Sequence, residues 1–328
     1  MMKYPEANIP ECMGHGSLRS KIIRAYRVMH AGLSTPLEFA SIFIDRGLKK
    51  MFSCNPRFTS RLEARRVFNE FKVAGNVTNE FYRLKDAKFP LLESDNKVGF
   101  FSGILQDTFY VYLNLDDDYH EEKINDLFYL LGEGPYGLIN DKVNVTVEIG
   151  DVVIDAGSWL GDFAAYASAK GAITYAFEPS EDNFAMLLKT AELNKNIIPV
   201  KKGLSDETAS MDLFLDTHGV TGGGTLRDMS SNTNYETQSS QIETITLDDF
   251  VHENNLERVD FIKSDIEGFE RKLLAGAQET LRRFAPKLAL CTYHLPDDPE
   301  VMKALIKQAN PKYNIVQKRK KLFASVPE

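Results

Sequence analysis

Between residues 152 and 309, short apolar runs alternate with stretches of helical period. The short runs at 152–155, 173–177, 198–202, 259–264 and 287–293 predict strands. The intervening periodicity predicts helices over 161–170, 181–193, 270–283 and 299–309. In the second of these, Phe184, Leu187, Leu188 and Ala191 recur at i, i+3, i+4 and i+7, which gives the helix one face for a sheet. Strands and helices in this alternation build parallel βαβ units. The expected fold class is therefore α/β, a mostly parallel twisted sheet flanked by helices. Two last runs, 313–316 and 321–324, read as a terminal hairpin.

Upstream the texture differs. Residues 17–71 read as helical, with Ile22, Ile23, Tyr26 and Met29 on one face and Lys21, Arg24 and Arg27 between them. Residues 98–115 alternate as strands, and Val143, Val145, Val147 and Ile149 alternate as one half-exposed strand. The organisation expected is a basic helical extension over 1–96, a β-rich lead-in over 97–150 and an α/β domain over 151–328. Within that domain, 217–241 is rich in Gly, Ser, Thr and Asn around Gly222-Gly223-Gly224, and predicts a mobile insertion or lid.

Composition narrows the class. With 43% hydrophobic and 26% charged residues in 328, the chain is globular rather than disordered or collagen-like. Cys12, Cys54 and Cys291 lie far apart without a CxxC, so neither a disulfide framework nor a structural zinc site is expected. Lys3, Glu6 and Glu11 interrupt the start, and the longest apolar run, near 39–44, is far short of the roughly 20 residues of a membrane span. The expected location is cytoplasmic. Charge is uneven: residues 1–96 hold 16 Lys and Arg against 10 Asp and Glu, net +6, which leaves −14 for the rest of a chain whose total is −8. The cationic helices suit water or peripheral contact with a membrane surface. They lack the interleaved aromatics of RNA-binding modules, so no nucleic-acid partner is expected. The acidic stretch 116–122 reads as a solvated loop.

Ligands of open parallel sheets bind at the carboxyl ends of the strands. The first candidate strand ends in Asp155-Ala156-Gly157-Ser158-Trp159-Leu160-Gly161, a DxGxxxG pattern in place of the GxGxxG of dinucleotide folds. Gly157 permits a sharp turn, and Gly161 opens a helix whose first amides face outward. A carboxylate at Asp155 would repel a pyrophosphate but suits the ammonium and sulfonium charges of S-adenosylmethionine. The second strand ends in Glu178-Pro179, where an acid can accept both ribose hydroxyls. Gly203-Leu204-Ser205, after the third, could border an adenine. After the fourth come Lys263, Asp265 and Glu267, alternate residues on one side of the chain, with Gly268 for a sharp exit. Such acids can orient a donor, accept a proton or hold a metal. His294, past the fifth strand, is a credible general base on the same rim.

Together these strand ends resemble the FkbM-type family of S-adenosylmethionine-dependent methyltransferases. The resemblance runs from about Gly134-Pro135-Tyr136 to Val316 and is carried by VVIDAGSWLG, AFEP, KKGLSD, DFIKSDIEGFE and YHLPDD. It implies a Rossmann-like class I methyltransferase fold. The implied activity is methyl transfer to a hydroxyl of a sugar or other small metabolite. It also implies a donor pocket from Asp155, Gly157, Ser158, Gly161, Glu178, Pro179, Gly203, Leu204, Ser205 and Asp265. His294 is the leading base, with Asp265 or Glu267 as rival base or metal ligand; no spacing demands a metal. Ser158-Trp159 departs from the smaller or amide residues common in relatives, and Trp159 either presses on the methionine end of the donor or packs below the helix. A non-catalytic scaffold and an NAD-dependent oxidoreductase are the alternatives, the latter weakened by the missing GxGxxG.

Overall fold

The computed structural model describes residues 81–84, 86–90, 136–216, 224–225 and 237–327. The helices expected over 17–71, the strands over 98–115, the acidic stretch 116–122 and most of 217–241 lie outside them.

A hairpin comes first, β1 (Phe81–Leu84) and β2 (Ala87–Pro90), followed by the short pair β3 (Leu138–Ile139) and β4 (Asn144–Val145). The α/β part runs β5 (Val152–Ala156), α1 (Asp162–Ala169), β6 (Ile173–Phe177), α2 (Glu181–Leu193), β7 (Ile197–Val200) and β8 (Gly203–Leu204). Then come β9 (Ser210–Asp216), β10 (Gly224–Thr225), β11 (Thr237–Ile245) and α3 (Leu247–Glu253). The chain continues as β12 (Phe261–Ser264), α4 (Glu270–Ala275), α5 (Gln278–Phe284), β13 (Lys287–Cys291), α6 (Asp298–Ala309), β14 (Asn314–Lys318) and β15 (Lys321–Ser325).

The main sheet has the order β14-β15-β13-β12-β5-β6-β7. β5, β6, β7, β12 and β13 are parallel, while β15 is antiparallel to β13 and to β14. Numbered by appearance within the sheet, this is 3-2-1-4-5-7-6, the class I methyltransferase arrangement. Successive residues feed opposite faces, as the two-residue period of a strand requires. Val153, Phe261, Ala289 and Phe323 enter one core, and Ile154, Ile262, Leu290 and Leu322 the other. Strand order reverses between β5 and β12, so their carboxyl ends flank a crevice.

Several local expectations change. On α2 Phe184, Leu187 and Ala191 pack against the core as expected, but Leu188 is 44% exposed and Asn183 and Thr190 are buried instead. Polar residues occupy that face because each has a partner there: Thr190 donates to the Leu160 carbonyl at 2.7 Å and Asn183 to Glu178 at 3.4 Å. Ile149 leaves the alternation of Val143, Val145 and Val147 and is 88% exposed, since the chain turns at Glu148–Asp151. The helix expected over 270–283 is two. A Cβ on Gly276 would lie 2.2 Å from the Ser205 carbonyl oxygen, and Asp248 accepts the amides of Glu279 and Thr280 at 2.9 and 2.8 Å, restarting the helix as α5. Residues 237–241, placed in the polar insertion, belong to β11, which pairs antiparallel with β9 from Glu243↔Ser210 to Thr237↔Asp216. Residues 81–90, inside the segment expected to be helical, form a hairpin whose Ala87 and Phe89 enter the core beside α1.

Candidate active site

The turn after β5 is fastened to both neighbouring strands. Gly157 and Ser158 donate their amides to the Phe177 carbonyl at 3.1 and 2.9 Å, and the Asp265 amide donates to the Ala156 carbonyl at 3.1 Å. Gly157 has φ +73, and a Cβ there would stand 2.0 Å from the Asp265 carbonyl oxygen. Only glycine fits this crossing of the two turns. Ser158 is buried, with its hydroxyl donated to the Asp155 carbonyl at 2.9 Å. Gly161, φ +84, faces Leu187 and Thr190, where a Cβ would come within 2.8 Å of Leu187. Both Ser158 and Gly161 thus serve the packing of the turn.

Asp155 is paired with a lysine of the neighbouring strand. It is wholly buried, and its Oδ1 lies 3.1 Å from the Lys263 Nζ, which also donates to the Gly157 carbonyl at 2.6 Å. Burial opposes the charge on Lys263, but Asp155, Asp265 and Asp162 overcome it and raise the ammonium pKa above its ordinary value. Burial pushes Asp155 up against the pull of Lys263. The pair ties β5 to β12 beneath the crevice, a positioning role that strand-end electrostatics alone did not indicate.

Glu178 stands opposite the turn. One oxygen accepts the Ser180 amide at 2.9 Å, the other the Trp159 amide at 2.9 Å. Burial raises its pKa to about 7 despite these hydrogen bonds and that of Asn183. Trp159 holds φ 49, and its ring packs against the α1-side core. Pro179 is half-buried beside Glu178. Gly203 and Leu204 are buried in β8, Leu204 packs in the core with Phe177 and Phe250, and the Ser205 hydroxyl donates to Asp206 at 3.0 Å.

The ends of β12 and β13 bring together the residues most distant in sequence. Asp265 accepts the phenol of Tyr136 at 2.8 Å and that of Tyr293 at 3.1 Å. Burial works to raise its pKa, but Lys263, His294 and Lys321 outweigh it and hold the carboxyl below its ordinary range. Glu267 has φ 54 and Gly268 φ 99, so the chain doubles back. Buried Glu270 closes that turn by accepting the amides of Ile266 and Gly268 at 2.9 and 3.0 Å. Three carboxylates face His294: Glu270 at 3.1 Å from Nδ1, with Glu267 and Asp265 at 3.3 and 3.7 Å from Nε2. Burial disfavours the imidazolium, yet Glu267, Glu270 and Asp265 carry its pKa up to about 10. Arg271 steadies the loop beyond through Asp298 and Asp297, both at 2.5 Å, and Asp298 accepts the Leu295 amide at 2.7 Å. Tyr136, Tyr293, Glu270 and Lys321 had no assigned role in the sequence reading; Tyr136 lies 129 positions from Asp265, with no local signal to link them.

Residues 145–313 match the family model described as the methyltransferase FkbM domain. The chain belongs to this family. The FkbM match spans the candidate-site residues from Asp155 to His294, while Tyr136 and Lys321 lie outside it. The chain is similar to the hexuronic acid methyltransferase AglP of Haloferax volcanii, 28% identical over 48% of this chain and 62% of that protein. It is also similar to the 31-O-demethyl-FK506 methyltransferase FkbM of Streptomyces tacrolimicus, 26% identical over 41% of this chain and 62% of that one. The matches thus span about three fifths of each curated relative. A solved methyltransferase FkbM from Methylobacillus flagellatus KT is similar at 19% identity, covering 71% of this chain and 56% of that one with a TM-score of 0.43.

Proposed function

We propose that the chain is an S-adenosylmethionine-dependent methyltransferase acting on a hydroxyl of a sugar or other small metabolite. The observation that carries this reading is the buried Glu178 carboxylate at the end of β6, which faces a glycine turn crossed by the β12 turn at the switch point of the sheet. An acid there suits the two ribose hydroxyls of an adenosyl group. Asp155, Gly157, Ser158 and Gly161 shape the turn, Pro179 lies beside Glu178, and Gly203, Leu204 and Ser205 back the adenine side. Family membership supports the same donor, and the hexuronic acid relative favours a sugar acceptor.

When bound, the donor supplies an electrophilic methyl on sulfonium, and the transfer leaves S-adenosylhomocysteine. The chain must align the acceptor hydroxyl and take its proton. Both ring nitrogens of His294 already face carboxylates, and Asp265 is filled by two phenols. Glu267, 36% exposed at the rim, is therefore the group we assign to receive the proton, with His294 orienting it. Transfer of labelled methyl from the donor to a panel of neutral and acidic sugars tests the activity. Glu267→Gln should lower kcat about 100-fold or more with donor affinity retained. Turnover by Glu267→Gln at the wild-type rate would remove Glu267 from this role, and no transfer to any hydroxyl compound would leave the fold without the activity.

A further inference from the structure

The turn after β12 and the loop after β13 place ligating atoms together: one donor atom each from Asp265, Glu270 and His294 lie within 4.8 Å of one another. Acidic clusters at a crevice are common, but His294 adds an independent observation. Its side chain is only 8% exposed and both ring nitrogens are shut off from solvent, yet neither makes a hydrogen bond with any described residue. The carboxylate oxygens stand at ion-contact distance from the ring nitrogens without completing a hydrogen bond to either. A buried imidazole in that position keeps ion contacts with carboxylates but has given up its hydrogen bonds to water. Coordination of an ion by one ring nitrogen offsets that loss.

The spacing fits. Adjacent ligands at about 2.1 Å from an octahedral ion lie about 3 Å apart, and Nδ1 of His294 is 3.1 Å from Oε1 of Glu270. The carboxylate of Glu270 is held by two backbone amides, and that of Asp265 by two phenols. Ligands fixed in this way by outer hydrogen bonds are the rule at metal sites.

We propose that Asp265, Glu270 and His294 bind a divalent metal ion, with Glu267 at the mouth of the site. One imidazole with two carboxylates suits Mn2+ or Zn2+ better than the all-oxygen environments that Ca2+ prefers. The role of the ion rests on the methyl-transfer reading: beside the acceptor it would lower the pKa of the attacking hydroxyl.

The test uses the full chain, stripped with chelator and titrated with Mn2+ while the electron paramagnetic resonance signal of the free ion is followed. One equivalent should bind, and His294→Gln and Asp265→Asn should each weaken binding about 10-fold or more, with circular dichroism confirming that they fold. In the wild type, substoichiometric Mn2+ should broaden the ring-proton NMR signals of one of the six histidines. No bound equivalent, binding unchanged in the folded variants, or broadening of no single histidine overturns the proposal and leaves His294 as an imidazolium held by carboxylates. S-adenosylhomocysteine binding, measured on metal-free protein, separates the two failures: its loss sinks the methyl-transfer reading while leaving the ion site standing.

Discussion

At the scale of single residues, two buried charged groups make opposite predictions. Lys263 is held by Asp155 and Asp265 in a place with almost no access to water. Lys263→Met leaves Asp155 buried without its cation and should cost about 3–5 kcal/mol in urea unfolding. Adding Asp155→Leu should recover part of that loss, whereas a cost of the same size in both variants would assign the effect to packing. Glu178 behaves differently with pH. Folded, it keeps its proton up to about 7; unfolded, it releases it near 4.5. Its contribution to stability is therefore fully present below about 4.5 and is lost as pH rises to 7, a change on the order of 3 kcal/mol at most. Urea titrations of wild type and Glu178→Gln at pH 5 and pH 8 check this: only the wild type should lose that increment. The strand-end position of both residues was legible in the sequence, but the partner of Asp155 was not. An ion pair across two strands has no local signature, so Lys263 was not linked to Asp155.

At the scale of elements, what the sequence made plain were the parallel strands, because short apolar runs between helical periods have few other uses. Less visible were elements stabilised by partners. β11 begins Thr237-Gln238-Ser239-Ser240 and reads as a polar loop, yet its ladder with β9 fixes it as a strand. The break between α4 and α5 depends on the Ser205 carbonyl and on Asp248, each far away in the chain. The β1–β2 hairpin is held from α2: Asn194 accepts the Lys88 amide at 2.9 Å and donates to the Lys88 carbonyl at 2.6 Å, standing in for a neighbouring strand. Asn194→Ala should destabilise by about 1–3 kcal/mol and speed hydrogen exchange at the Lys88 amide, with the amides of β5 and β12 unaffected. Unchanged exchange at Lys88 would show that packing of Ala87 and Phe89 alone secures the hairpin.

At the scale of the whole molecule, the order 3-2-1-4-5-7-6 explains why distant motifs share one site. The reversal between β5 and β12 sets the Gly157 turn against Asp265, and β13, next in the sheet, delivers His294. The uneven charge of the chain keeps its meaning as an expectation for residues 1–96: a basic segment of different neighbours. Among the described residues no helix is long and apolar enough to cross a membrane. The central claim is that the switch point binds an adenosyl methyl donor through Glu178. Calorimetric titration of the full chain with S-adenosylhomocysteine tests it most directly. The account predicts one-to-one binding, weakened about 10-fold or more in a folded Glu178→Ala variant; no binding to the wild type, or equal affinity in the two proteins, would contradict it.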